Sequence, residues 1–579
     1  MIKPVSRYEL SRIKRRLITL YGKDGADRLV ERLYQLIGRY GVGLKPKPMI
    51  SRWDERDSVL ITYGDSLISE GEIPLQTLNS FSNKHLKNRF SAIHILPFYP
   101  WSSDDGFSVI DYREVDPDLG GWDDIEELAK NFELMFDMVL NHCSAHSAWF
   151  QDFIDGIEPA RHYFHDIDPE TDLSQVTRPR TSPLLTPFKT RDGEANIWTT
   201  FSADQVDLNW ENPDLLFEFL DILFLYLSKG VHILRFDAVA FVWKKIGTTC
   251  IHLPEAHEIV KLFRDVLEIV EPKTILLTET NVPQPENLSY MGDSDEAHMV
   301  YQFSLPPLLL HGLMFGEASH LSKWAKSMPK IPNGCTFFNF AASHDGVGVR
   351  PVEGILSESE RDKMIAEVEN KGGKISWKNN PDGSKSPYEM NITYFSALSH
   401  ENQDLGIARF LCSQSVVLSL KGIPGIYIHS LLGTSNDLDY MAETGQNRSI
   451  NRRKWKMEEL TPLLKDSKSQ HNRVFKKMLD LLRIRSQNKA FHPDASQTIH
   501  EIDPGVMIIE RESVDGFDRI LCVHNFTDQT LKLEHLAGLN SEFRFHNMPT
   551  DLISGQFIEK KSGNFTLKPY QFWWLVMTQ

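Results

Sequence analysis

Four acidic side chains lie within or directly after apolar segments of the chain: Asp137, Asp237, Glu279 and Asp345, the last preceded by His344. A carboxylate is costly to bury without a partner. Taken singly, each could be a residue that caps the helix following a strand. Taken together, each with an Arg, Asn or His nearby, the four positions argue against capping as a set and favour a polar cavity that several of them share.

Paired carboxyl groups in such a cavity could perform chemistry on a sugar. Two of them about 5–5.5 Å apart across a glycosidic bond carry out a retaining double displacement, one as nucleophile and the other as acid and base. A third carboxylate can bind sugar hydroxyls while the oxocarbenium-like charge develops.

The elements that would position these carboxylates are short apolar strands alternating with helical sequence. Such strands are typical of a parallel sheet buried on both faces. Eight in succession predict a (β/α)8 barrel, an α/β fold whose active site lies at the carboxyl ends of the strands. The predicted strands are Val59–Tyr63, Ile93–Pro97, Leu134–Leu140, His232–Phe236, Ile275–Thr278, Met299–Phe303, Thr336–Phe340 and Gly425–Ile428.

Segments outside the barrel pattern predict further parts. Helical periodicity over 8–40, divided by Gly22 and Gly25, indicates an N-terminal helical extension (1–57) that ends in the linker Lys45–Pro48. Long connections at about 143–205 and 345–395 predict insertions after strands 3 and 7 of the catalytic part (58–490). Period-2 segments beyond 490 (Val506–Ile509, Ile520–Val523, Phe565–Leu567 and Phe572–Val576) predict a C-terminal antiparallel β domain (491–579).

Composition narrows the class of protein. With 41% hydrophobic and 25% charged residues, the chain is typical of globular proteins. A net charge of −16 argues against nucleic acid or an anionic membrane as the main partner. Five widely spaced cysteines show no metal-binding pattern and favour reduced thiols. The charged N-terminus lacks an apolar signal core. We therefore expect a soluble, cytoplasmic protein.

The four segments around the carboxylates resemble the hallmark regions of the α-amylase superfamily, glycoside hydrolase family 13, in their order and strand placement. The resemblance implies that Asp237 is the nucleophile, Glu279 the acid/base and Asp345 the transition-state stabiliser. The resemblance also implies that Arg235 orients the nucleophile and that His142 and His344 bind glucose hydroxyls. Many members bind calcium near Asn141, but no acidic cluster accompanies it here, and a metal is not implied.

Within the superfamily the chain is most similar to the sucrose phosphorylase subfamily. The motifs that carry this similarity are His94–Phe98, Asp104–Phe107, Thr177–Arg180, Phe201–Asp207, Ser304–Leu310 and Asn447–Arg452. The resemblance implies that Asp104 and Arg448 close the pocket around one glucose, with Gln205 in the same substrate site. It implies aromatic walls at Phe107 and Phe201. Arg180 matches the phosphate-binding arginine, although the pair Arg178 and Arg180 could also be a solvated loop.

Departures from that subfamily point to one of its branches. The stretches Trp53–Glu55, Trp377–Gly383 and Thr278–Pro283 resemble glucosylglycerate phosphorylases, which release glycerate and α-glucose 1-phosphate. Glu389 stands where sucrose-active relatives carry Gln, so Tyr388 and Glu389 are expected at the acceptor, with Glu389 accepting hydrogen bonds from acceptor hydroxyls. The glycerate carboxylate requires a cation, for which Lys378, Lys385 or an arginine is a candidate, and either lysine could instead be solvated.

Alternatives remain open at this point. The same chemistry could serve sucrose, sucrose 6′-phosphate or glucosylglycerol, and a hydrolase or transglucosidase would use water or a sugar. A non-enzymatic relative is disfavoured by the intact Asp237, Glu279 and Asp345. We expect a sugar and phosphate as the small-molecule partners, phosphate as co-substrate, no other cofactor and no metal. A homodimer is an open alternative to a monomer.

Overall fold

The computed structural model describes residues 7–40, 51–379, 384–534, 549–560 and 564–576. Eight parallel strands close into a barrel in the order β1-β8-β7-β6-β5-β4-β3-β2. They are β1 Val59–Thr62, β2 Ala92–Ile95, β3 Glu133–Val139, β4 Val231–Asp237, β5 Ile275–Thr278, β6 Met299–Tyr301, β7 Thr336–Phe340 and β8 Ile423–Tyr427. The predicted (β/α)8 barrel is confirmed.

Strand ends differ from the prediction by a few residues. β6 stops at Tyr301, two residues early, because Phe303 leads into the helix Leu305–Phe315, whose first turn holds Pro306 and Pro307. β8 starts two residues early, at Ile423. The structure also places two of the carboxyls singled out from the sequence at strand ends: Asp237 is the last residue of β4, and Glu279 directly follows β5.

Helices cover the outside of the barrel. The principal ones are Pro74–His85, Trp122–Ala129, Pro213–Ser228, Pro254–Val270, Gln284–Ser289, Leu305–Phe315, Ser319–Lys326, Gln403–Ser419 and Gln470–Arg485. Several begin with Pro in the first turn, where its missing N–H removes no helical hydrogen bond. Within the described ranges, every helix falls short of the length and apolarity needed to cross a bilayer.

Both long connections contain regular structure. The segment after β3 holds the helix Ala148–Asp155 and two antiparallel pairs of strands: His142–Ser144 with Gln205–Asp207, and Leu185–Thr190 with Gly193–Trp198. The segment after β7 holds the helix Glu358–Asn370 and a three-stranded sheet of Val347–Gly348, Lys385–Asn391 and Lys374–Asn379. This sheet matters for function because it forms one wall of the cavity described below. Residues 380–383 of the Trp377–Gly383 stretch lie outside the described residues.

The N-terminal residues form two helices, α1 (Arg7–Tyr21) and α2 (Ala26–Tyr40), as predicted from their periodicity. Arg16 of α1 pairs with Glu258 at 3.1 Å and Asp265 at 3.3 Å on the barrel helix Pro254–Val270, and with Asp295 at 3.0 Å. Buried apolar side chains of both helices belong to the main core. The extension is therefore packed onto the barrel. The linker Lys45–Pro48 lies outside the described residues.

Five C-terminal strands form an antiparallel sheet in the order Ser496–His500, Val506–Glu512, Arg519–Asn525, Phe572–Val576 and Thr550–Asp551. Phe565–Leu567 pairs instead with Leu531–Leu533. Trp574 is fully buried, and its indole N–H donates to Ser415 Oγ at 3.0 Å, which joins the sheet to the barrel helix Gln403–Ser419. The predicted antiparallel β part is confirmed, while the boundaries at 57/58 and 490/491 stay predictions.

Candidate active site

A cavity of about 610 Å³ opens at the carboxyl ends of the barrel strands. The strand β4, the loops that follow β5 and β7, and both long insertions supply its walls. Except for Asp137, Asn141 and Lys385, the site residues predicted from the sequence line it: Asp104, Phe107, His142, Arg180, Phe201, Gln205, Arg235, Asp237, Glu279, His344, Asp345, Lys378, Tyr388, Glu389 and Arg448. Their roles remain predictions, but the structure brings them together.

Asp237 is held by a chain of charges that begins below the cavity floor. Arg235 Nη1 donates to Asp237 Oδ1 at 2.7 Å and also bonds Asp137. Asp137 is fully buried and meets His94 Nε2 at 2.6 Å. Burial raises the pKa of Asp137, but His94 and Arg235 outweigh that effect and bring the pKa below its usual value. Asp137 thus serves as a counter-charge that fixes Arg235, and Arg235 in turn orients Asp237.

Glu279 lies near Asp237 but, within the part of the chain that the structure describes, has no ion pair like that between Arg235 and Asp237. Its Oε2 accepts a 3.2 Å hydrogen bond from the N–H of Ala238. Ala238 has a φ of +50°, a left-handed conformation that costs a non-glycine residue about 1–2 kcal/mol. This sharp turn aims its N–H at Glu279.

Burial raises the pKa of both Asp237 and Glu279, and the repulsion between them raises that of Asp237 further. The two carboxyls therefore favour sharing one proton. Arg235 donates directly to Asp237, which favours the anion on Asp237 and the proton on Glu279, although burial and Glu279 raise the pKa of Asp237 to about 8.

Asp345 belongs to a second cluster of charges, built around Arg448. Arg448 Nη1 lies 2.8 Å from Asp345 Oδ1, while its Nε and Nη2 donate to the two oxygens of Glu389 at 3.1 and 2.8 Å. Gly346 N–H also donates to Glu389 at 2.6 Å, and a Cβ at Gly346 would lie 2.6 Å from Glu389 Cγ. Burial raises the pKa of Asp345, but Arg448, Arg452 and Arg235 lower it more, so Asp345 stays ionised.

Glu389 is 3% exposed, and both of its oxygens are engaged by Arg448 and Gly346. That it accepts hydrogen bonds from acceptor hydroxyls stays a prediction. Its contacts also indicate a positioning role, because a carboxylate in a bidentate pair with a guanidinium holds that guanidinium in a fixed plane. What Glu389 fixes is the orientation of Arg448 beside Asp345.

The residues predicted to bind glucose include a hydrogen-bonded pair and a stacked pair of rings. Gln205 Nε2 donates to Asp104 Oδ2 at 3.2 Å, and the ring of Phe107 stacks on that of His344 with centroids 4.8 Å apart. The turn Asp104–Gly106 has positive φ throughout, and a Cβ at Gly106 would lie 2.6 Å from the carbonyl oxygen of Pro97. Burial lowers the pKa of His344, so its imidazole is neutral and can hydrogen bond with hydroxyls.

The outer part of the cavity carries cations. Arg180 lies against two aromatic rings, with its Cζ 5.2 Å from the ring centre of Tyr388 and 5.9 Å from that of Phe201. Lys378, on the strand Lys374–Asn379, lines the same wall. Lys385 is exposed and is absent from the cavity wall, so the structure gives no support to Lys385 as the acceptor's cation and leaves Lys378 or an arginine as the candidates within the cavity.

Asn141, which could serve as a calcium ligand, meets a cation from the chain itself. Lys244 Nζ donates to Asn141 Oδ1 at 2.8 Å, lies 2.7 Å from Asp207 Oδ2 and bonds the carbonyl of Phe241. Lys244 is 5% exposed. In the described part of the chain there is no group of three or more His, Cys, Asp or Glu side chains arranged to hold a metal ion.

Comparison with known proteins agrees with this site. The α-amylase catalytic domain model matches residues 85–346. Glucosylglycerate phosphorylase of Escherichia coli is 44% identical over 90% of this chain and 92% of its own length. The chain belongs to the glucosylglycerate phosphorylase family. The glucosylglycerol phosphorylase of Marinobacter adhaerens is more distant, at 30% identity over 75% of this chain and 87% of its own.

A crystal structure of sucrose 6F-phosphate phosphorylase from Thermoanaerobacter thermosaccharolyticum superimposes on this member of the glucosylglycerate phosphorylase family with a TM-score of 0.71. The two are 26% identical, and the match covers 82% of this chain and 94% of the other. The barrel and the order of its strands are thus shared with a solved phosphorylase, and the chain is a glycoside phosphorylase of glycoside hydrolase family 13.

Arg350 and Asn281 are among the polar residues of the cavity wall to which the sequence assigned no role. Asn281 stands two residues after Glu279, and Arg350 stands five residues after Asp345. Proximity to the carboxylates along the chain was the available signal for both. It is a weak one, since most residues in such loops face solvent.

Proposed function

We propose that this protein catalyses the reversible phosphorolysis of 2-O-α-D-glucosyl-D-glycerate, giving α-D-glucose 1-phosphate and D-glycerate. The reaction retains configuration at the anomeric carbon and passes through a glucosyl ester of Asp237. The inner end of the cavity holds the glucose, and the cationic outer part holds glycerate or phosphate in turn.

In the first step the Asp237 carboxylate attacks the anomeric carbon, while the Glu279 carboxyl gives its proton to the departing glycerate oxygen. Arg235 supports this step because it holds Asp237 as an anion with the reacting oxygen in a fixed place. Asp345, kept ionised by Arg448, stabilises the positive charge that develops on the sugar ring.

In the second step phosphate replaces glycerate. The Glu279 carboxylate accepts a proton from phosphate, and a phosphate oxygen attacks the same carbon and releases Asp237. Two inversions restore the α configuration. Arg180 favours phosphate over water because a guanidinium binds the anion through charge-assisted hydrogen bonds, which are strongest where water is excluded. The rings of Tyr388 and Phe201 hold its side chain in the cavity.

The observation that carries this choice of acceptor is the difference in identity between relatives. The chain is 44% identical to a glucosylglycerate phosphorylase but 30% identical to a glucosylglycerol phosphorylase, which is named for glycerol, an acceptor without charge. Cations in the outer part of the cavity support the same choice, since an anionic acceptor needs a partner of opposite charge.

The test is the reverse reaction with a panel of acceptors. The protein is incubated with α-glucose 1-phosphate and D-glycerate, glycerol, fructose or fructose 6-phosphate, and released phosphate is measured for each. Glycerate should give the highest kcat/KM. If glycerol or fructose were better by tenfold, about 1.4 kcal/mol of transition-state binding, the proposed acceptor would be wrong. Proton NMR of the phosphorolysis product should show α-glucose 1-phosphate first.

We further propose that the enzyme acts in the cytoplasm as a monomer or homodimer, with phosphate as co-substrate and neither metal nor organic cofactor. The five cysteines are buried and unpaired, which supports a reducing compartment. Activity retained after dialysis against a chelator would support the absence of a metal, and size-exclusion chromatography with light scattering would give the oligomeric state.

A further inference from the structure

The basic residues of the cavity wall differ in what balances their charge. Arg235 and Arg448 are paired with carboxylates. Arg350, in contrast, lines the cavity half-buried, and among the residues that the structure describes no carboxylate lies within ion-pairing distance of it. A guanidinium placed in this way is available to a ligand that carries its own negative charge.

The backbone around Arg350 is fixed from two sides. Val349 N–H donates to the carbonyl of Tyr388 at 3.0 Å, and Ser304 Oγ donates to the carbonyl of Pro351 at 2.8 Å. The preceding strand Val347–Gly348 pairs with Met390 and Glu389. Arg350 therefore extends from a rigid turn on the outer wall, which is a good foundation for selecting a ligand.

A second unpaired polar group lies next to this turn. The side-chain oxygen of Asn281 is buried and has no hydrogen-bond partner among the described residues. A Cβ added at Gly348 would lie 3.3 Å from the Asn281 amide, so the absence of a side chain at 348 lets the two walls approach closely. A buried acceptor atom without a donor is costly, and a ligand hydroxyl would satisfy it.

Lys378 is a poorer candidate than Arg350 for the same anion. Burial lowers the pKa of Lys378, while Glu353 raises it and Arg350 lowers it. The lysine thus already interacts with the charge of Glu353. A single ammonium is also a point charge, whereas a guanidinium can bind both oxygens of a carboxylate in one plane.

We propose that Arg350 binds the carboxylate of the acceptor, that Asn281 accepts a hydrogen bond from one of its hydroxyls, and that Arg350 is the residue that selects glycerate over glycerol. The inference rests on the proposed function and adds the specificity residue of the same site. Arg180 keeps its proposed role in binding phosphate. The acceptor carboxylate and phosphate are therefore bound by different arginines.

The experiment measures kcat/KM for D-glycerate and for glycerol, with α-glucose 1-phosphate as donor, in the wild type, Arg350→Met, Arg350→Lys and Lys378→Met. Lys385→Met is the matched control, since that exposed lysine lies outside the cavity. In Arg350→Met the glycerate-to-glycerol ratio should fall roughly tenfold to a hundredfold, as expected for the loss of a charged hydrogen-bonding partner. Arg350→Lys should recover part of the ratio, which a variant damaged only in folding would not do.

Three results would overturn the inference or what it rests on. A ratio unchanged in Arg350→Met, in an enzyme whose wild type prefers glycerate, would exclude Arg350. A collapse of the ratio in Lys378→Met alone would place the carboxylate at Lys378. A wild type without preference for glycerate would refute the proposed function itself. Asn281→Leu should lower kcat/KM for both acceptors, because glycerol offers the same hydroxyls, and an effect on neither would remove Asn281 from the site.

Discussion

Replacing Glu389 with glutamine tests whether this residue acts through Arg448 or on the acceptor. The substitution keeps the shape of the side chain and removes its charge. In the structure Glu389 Oε1 accepts from Arg448 Nε and Gly346 N–H, while Oε2 accepts from Arg448 Nη2 at 2.8 Å. A glutamine can keep its carbonyl oxygen in the place of Oε1, but its amide nitrogen then faces Arg448 Nη2, and two donors cannot bond.

The expected decrease in kcat/KM follows from the loss of the hydrogen bond between Arg448 Nη2 and Glu389 Oε2. A hydrogen bond to a charged group contributes about 1.5–3 kcal/mol. At about 1.4 kcal/mol per tenfold change, this corresponds to a decrease of roughly tenfold to a hundredfold in kcat/KM. Because Arg448 contacts Asp345 and faces the sugar end of the cavity, the decrease should be nearly equal with every acceptor.

The assay compares kcat/KM for α-glucose 1-phosphate with glycerate and with glycerol in Glu389→Gln, Lys385→Gln and the wild type. Lys385→Gln changes an exposed residue on the same strand and should behave like the wild type. Thermal unfolding shows whether the variant is folded. A decrease with glycerate and none with glycerol would refute the reasoning, because it would mean that Glu389 acts on the acceptor.

The other predictions concern the reacting groups. Asp237→Ala and Glu279→Gln should remain folded and lose nearly all glucosyl transfer; peptide mapping of a trapped glucosyl adduct should find it on Asp237, and an adduct on Asp345 would contradict the assignment. Since burial raises the pKa of Glu279, the carboxyl stays protonated to a higher pH than the ordinary value of about 4.3, and the alkaline limb of kcat/KM should reflect its deprotonation. That limb should vanish in Glu279→Gln assayed with α-glucosyl fluoride, whose leaving group needs little protonation, and a persisting limb would assign it to another group. Arg180→Ala should lower phosphorolysis roughly tenfold to a hundredfold more than slow hydrolysis of the same donor, and equal losses would make Arg180 structural.

The barrel could be predicted because its strands are buried on both faces. Such strands are short apolar runs, and a carboxylate at the end of one, as at Asp237 or directly after β5, is rare enough to be informative. The helices α1 and α2 were likewise readable from their periodicity. Their attachment through Arg16 could not be predicted, because Glu258 and Asp265 lie more than two hundred residues away in sequence, and no local pattern encodes such a pairing.

The acceptor side of the cavity was harder to read for a physical reason. Glu389 and Arg448 form their pair across 59 positions of sequence, so the sequence showed two polar residues without showing that they neutralise each other. Arg350 follows none of the strands predicted from the sequence and belongs to no motif, and its place in the cavity depends on how the sheet after β7 folds against the loop after β5. Roles for such residues follow from contacts and not from residue type.

The ammonium group of Lys244 has a consequence of its own. An ion held by Asn141 and Asp207 would obey mass action, and the stability of the fold would rise and fall with the concentration of that ion. A cation attached to the polypeptide is present in every folded molecule at a ratio of one to one. Dilution cannot remove it, and competition from other metals would have to displace a residue of the chain. The polar cluster of Asn141 and Asp207 thus carries its own cation.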